Sequence, residues 1–116
     1  MRFMTFVKSS ENSPPPPQAL MEAMDRWIEE ERKSGTFIDG GGLAPTADSF
    51  RVRLSGGKIT MTDGPFAETK EVIGGYAILD LPSKEAAIEA ARKFMELHRE
   101  HWPGWEGESE VRQIFA

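Results

Sequence analysis

Residues 72–81, VIGGYAILDL, pass through Pro82 into residues 83–97, SKEAAIEAARKFMEL, and the apolar spacing changes character at that junction. Val72 to Leu81 is largely apolar, as a strand near a core is. Beyond it, Ala87, Ala91 and Phe94 recur at helical steps through Leu97, with His98 next on the stripe. Ser83 stands where a helix N-cap belongs. A strand delivered straight into an amphipathic helix places the chain among the α+β or α/β folds. The segments on either side decide which.

Upstream, Ser49 to Leu54 alternates Phe50, Val52 and Leu54 with Ser49, Arg51 and Arg53, and Gly56–Gly57 separates it from Lys58 to Thr62. That pattern predicts a hairpin. Thr36 to Gly42 is a short apolar piece ending in three glycines, followed by a turn. Gln18 to Ser34 carries Leu20, Met24, Trp27 and Ile28 on one helical stripe, with Gly35 as its stop. Ser9 to Pro17 ends in four prolines and reads as a stiff loop. Arg2 to Lys8, with Phe3, Phe6 and Val7, reads as a first strand, and SEVRQIF near residue 115 as the last. The expected order is β-α-β-β-β-α-β. This order implies an α+β, ferredoxin-like antiparallel sheet with two helices on one face. Two helices leave the other face bare, and a second copy is the simplest cover, so a homodimer is expected.

The composition narrows the function classes. The chain has 116 residues, net charge −5 and no cysteine. One domain fits that length, and the absent thiols exclude disulfides and thiolate-held metals. An acidic chain is a poor partner for nucleic acid, so no direct nucleic-acid binding is expected. No apolar run approaches a membrane span and no signal peptide is evident, so a cytoplasmic protein without membrane attachment is expected.

Asp63-Gly64-Pro65-Phe66, followed by AETKEVIGGYAILDL, resembles the signature of the YCII-related domain family in its DGPF-motif branch; GGGLAP, VRLSGGK and EVRQIF match the pattern elsewhere. The resemblance implies a dimeric α+β barrel with a cleft beside the motif loop, but no defined reaction. It also implies an association with extracytoplasmic-function sigma factors. Other branches look as if they use a His on the first helix with an Asp near the second strand. Met24 stands at that helix position here and Asp39 near the acidic one, so that dyad does not carry over.

Nine residues separate Thr62 from Val72, more than an ordinary hairpin needs. Asp63 is expected to cap the turn, Gly64 to take a positive φ, Pro65 to fix the next φ, and Phe66 to plug an apolar pocket. In an extended stretch Glu68 and Lys70 share one side, forming either a ligand-holding pair or a solvated one. Asp63, Glu68 and Lys70 are therefore the catalytic candidates, with Gly64, Pro65, Phe66 and Tyr76 lining the ligand site. His98 and His101 at i, i+3 make a weak metal signal and read better as helix C-terminal histidines; no metal or cofactor is expected. Trp102 and Trp105 are either a packed lid or part of a dimer or ligand surface. Two functions stay open. One is a domain binding a small-molecule ligand, or a regulatory domain tied to sigma-factor-dependent transcription. The other is a cofactor-independent lyase or isomerase using carboxylate acid/base chemistry.

Overall fold

The computed structural model describes residues 1–66 and 70–115. The described residues form six strands and two α-helices: β1 (Arg2–Ser9), α1 (Gln18–Lys33), β2 (Phe37–Gly42), β3 (Phe50–Ser55), β4 (Lys58–Asp63), β5 (Val72–Asp80), α2 (Lys84–His101) and β6 (Glu108–Gln113). A single 3-10 turn at Thr46–Asp48 separates β2 from β3. The two helices begin differently. The Ser83 hydroxyl accepts from the Ala86 N–H at 3.1 Å, as an N-cap does. α1 has no side-chain cap, and its first donors fold back onto the Pro17 carbonyl. It closes with Gly35 N–H on the Arg32 carbonyl and Thr36 N–H on that of Glu31, a Schellman ending. Among the described residues, no helix is long and apolar enough to cross a membrane.

Four strands form one antiparallel sheet in the order β2-β5-β1-β6, with both helices on one face. The α+β class and ferredoxin-like layout hold, but the strand assignment needs two corrections. Thr36 to Gly42 contains an edge strand that its glycines disguised. A Cβ on Gly40 would lie 2.7 Å from the Tyr76 carbonyl oxygen and 3.1 Å from Ala77 Cα, so glycine there permits close approach of β5. The second correction concerns β3 and β4, which among the described residues pair only with each other, in a separate two-stranded ribbon.

Register fixes what the helix-facing side of the sheet presents. Phe3 stands opposite Leu79, and Phe37 opposite Leu79 on the far side. Those three join Leu81 and Ala87 as the buried core, with Ile28, Ala86 and Ala90 packed against them. Moving away from that end, every strand tapers: Phe3, Thr5, Val7, Ser9 on β1; Leu79, Ala77, Gly75 on β5; Phe37, Gly40, Gly42 on β2; Val111, Ser109 on β6. This cluster therefore sits at one end of the helix–sheet interface, while Leu20 and Ala23 of α1 are buried apart from it.

Candidate functional site

Where the strands taper, the helices do not close down on the sheet, and a cavity of about 800 Å³ remains. That is within the range of small-molecule sites. Its floor is Thr5, Val7, Gly75 and Ala77, and its roof is Met24, Trp27 and Ile28 of α1 with Phe94 and His98 of α2. Phe94 and His98, four residues apart, share one face of α2, and Trp102 follows as its C-cap. The chain then turns, and Trp105 comes back over the imidazole. The result is a run of rings: Trp27 to Phe94 at 5.4 Å between centroids, Phe94 to His98 at 4.9 Å, His98 to Trp105 at 4.5 Å, and Trp105 to Trp102 at 5.8 Å.

His98 is the polar centre of this wall. It is only 5% exposed, and burial pushes its pKa below the ordinary value. Its Nδ1 lies 2.9 Å from the Phe94 carbonyl oxygen, which only accepts, so Nδ1 carries the hydrogen. In the neutral ring, Nε2 is then a bare acceptor. It has no hydrogen-bond partner among the described residues, yet no unpartnered side-chain nitrogen or oxygen there is sealed from solvent. Nε2 therefore keeps some access to solvent, and His98 is among the residues that line the cavity. His98 does lie in the last turn of α2, as expected of a helix C-terminal histidine, but its burial outweighs the Phe94 carbonyl and lowers its pKa. His101 fits the expectation better, sitting 3.8 Å from Glu100 at the surface of the last turn.

The DGPF turn lies at the margin of this cavity rather than within it. Asp63 ends β4, is exposed, and its carboxylate makes no hydrogen bond among the described residues, so the expected cap is absent. Gly64 does not take a positive φ. Its need for glycine is steric, because a Cβ would fall 1.6 Å from the Thr46 carbonyl oxygen. The Gly64–Pro65 bond is cis. Phe66 is half-buried beneath the Arg51 guanidinium, 3.7 Å from its ring centroid, rather than in an apolar pocket. Lys70 is exposed, and Glu68 lies outside the described residues. Tyr76 is among the residues lining the cavity, but it pairs with Phe6, out of phase with Leu79, which puts its ring on the sheet's outer face.

One chain of bonds ties the turn to the cavity. The Phe66 N–H donates to Thr46 Oγ1 at 3.3 Å, and Thr46 donates its N–H and hydroxyl to the Glu11 carboxylate at 2.8 and 2.5 Å. These bonds hold the Glu11 pKa below its usual value. Thr46 and Glu11 both line the cavity. The loop between β1 and α1 thus meets the motif turn through Thr46.

Sequence reasoning missed the cavity itself. The tapering strand residues and the four-residue spacing of Phe94, His98 and Trp102 were the signals that could have found it. The YCII-related domain family matches residues 1–98 of the chain. An uncharacterised protein of Rhizobium meliloti (strain 1021) is 42% identical over 72 residues, covering 62% of this chain and 56% of that protein. The chain thus spans a little over half the length of this curated relative.

Proposed function

Since the chain belongs to the YCII-related domain family, we propose that it is a small-molecule-binding domain of the DGPF-motif branch, working as a pair of identical subunits. The ligand occupies the cavity between the helices and the sheet. The observation that carries this reading is an accessible, neutral imidazole acceptor set in an aromatic wall. Such a wall suits a flat aromatic molecule, and a bare Nε2 selects one that offers a hydroxyl or N–H donor. Phenols and related hydroxyaromatics are the matching class. Glu11 and Thr46 at the rim supply the polar contacts for a second substituent.

Pairing of two copies draws on the outer sheet face. Met4, Phe6, Tyr76 and Ile78 lie there without a covering layer, flanked by Lys8, Glu108 and Glu110. A role in sigma-factor-dependent transcription, implied by the motif resemblance, is exercised through the ligand-bound pair and a partner protein.

Screening a panel of hydroxyaromatics by NMR, with the His98 ring nitrogens labelled, tests the assignment. Binding is expected to shift the Nε2 resonance most and to fall at least tenfold, about 1.4 kcal/mol, in His98→Phe. Binding that leaves the ring unchanged places the site elsewhere. The neutral imidazole also favours a second, catalytic reading, with Nε2 as the general base in place of Asp63. Product appearing from a bound phenol, and disappearing in His98→Gln, would distinguish turnover from binding.

A further inference from the structure

The β3–β4 ribbon is the least explained part of the molecule. Phe50, Val52 and Leu54 stand on β3 opposite Asp63, Met61 and Ile59 on β4, so five large apolar side chains form a ladder on one face. Each of the five is between 61% and 71% exposed. The opposite face carries Arg51, Arg53 and Ser55 against Thr62, Thr60 and Lys58. The two strands make their main contacts with each other. At its base the ribbon is fixed by the Gly64 N–H on the Ser49 carbonyl at 2.8 Å and by Arg51 over Phe66. It projects: the Cα radius of gyration is 15.9 Å, against roughly 13 Å for a compact chain of this length.

A two-stranded ribbon on its own is marginally stable in water, and a contiguous apolar patch of this kind marks an interface. We infer that this ribbon is an intersubunit arm, each copy laying the ladder Phe50–Val52–Leu54–Ile59–Met61 on the body of a second copy of the chain. Charge selects that occupant. Within Phe50–Asp63 there are three cations and one carboxylate, on a chain whose net charge is −5. A basic arm is drawn to the acidic body of another copy, as complementary patches are. The same body leaves an uncovered sheet face, where Glu108 and Glu110 bridge Lys8 and Glu110 also pairs with Arg112. A two-fold pair satisfies both bare surfaces at once, because each copy gives an arm and receives one.

The inference rests on the pairing proposed above, and the test separates the two. Sedimentation velocity of the wild-type chain at 1–100 µM, a range chosen to bracket ordinary dimer affinities, is compared with that of Leu54→Lys/Ile59→Lys. The wild type is expected near twice 13.0 kDa. The variant, altered only on the projecting ladder, is expected to dissociate at least tenfold more readily while its far-UV circular dichroism and thermal midpoint stay those of the wild type. Hydrogen exchange at Val52–Met61 gives a second readout: protection should rise with wild-type concentration and be lost in the variant. A variant that pairs as tightly as the wild type overturns the arm but leaves the pairing standing. A wild-type chain that stays monomeric across the range overturns both. Association continuing beyond two copies overturns the closed exchange.

Discussion

Ala77→Leu tests the cavity directly. Ala77 faces the helices from β5, flanked by Thr5 on β1 and Gly40 on β2, at the point where the packed core gives way to open volume. The substitution adds three carbon atoms. At about 0.8 kcal/mol for each fully buried methylene, the ceiling is roughly 2.4 kcal/mol. The new side chain contacts protein on its sheet and core sides only, so a gain of about 1–2 kcal/mol is expected. For a domain of this size that raises the melting temperature by roughly 5–10 °C. Urea unfolding followed by circular dichroism, with calorimetry for the midpoint, measures both quantities. A stable variant that has also lost affinity for the best hydroxyaromatic probe would place the ligand in the filled volume. Destabilisation by about 1–3 kcal/mol, the usual penalty of overpacking, would refute the reasoning. It would mean that in solution the helices already rest on the sheet there.

Three further outcomes are expected. Stability should fall as pH drops below about 6.5, because the unfolded chain takes up a proton on His98 before the folded one does; the slope is at most about 1.4 kcal/mol per pH unit, and urea midpoints against pH should flatten there in His98→Phe. Gly64→Ala should cost more than about 2 kcal/mol or displace the turn, since its methyl would meet the Thr46 backbone rather than a movable side chain; denaturation with an amide spectrum of Phe66 distinguishes the two. Thr46→Val should cost about 1 kcal/mol and speed exchange of the Phe66 amide, because the hydroxyl both donates to Glu11 and accepts from Phe66; an unchanged exchange rate there would show that the link between the motif turn and the loop is idle.

The sequence was most legible where one physical rule acted alone. The stripes of α1 and α2, the Ser83 cap and the central strands follow from periodicity and capping, and the structure has them within a residue or two of the expected bounds. It was least legible where two rules conflicted. The glycines of β2 argue against a strand by propensity, yet they are what lets that edge lie close to β5. Alternation identified β3 and β4 as a hairpin but says nothing about which sheet a strand joins, and these two join none. At the candidate site the charged motif drew attention to Asp63 and Lys70, both of which the fold leaves in solvent. His98 looked like an ordinary helix-end histidine because its burial depends on Trp105 returning from the following loop, a contact no local pattern encodes.

The position of β1 also governs when the molecule can form. Phe3 finds its partners at Leu79 and Gln113, far along the chain. The central strand therefore waits, unpaired, until β5 and β6, both C-terminal to it, have emerged. Loop-closure entropy for such distant pairings has to be met before any sheet contact rewards it, which makes slow, late folding the expectation. The β3–β4 ribbon has no such delay, since its turn is two residues long and all its pairing is local. On a polysome, the apolar residues of this ribbon in neighbouring nascent chains would be exposed to one another before either sheet is complete.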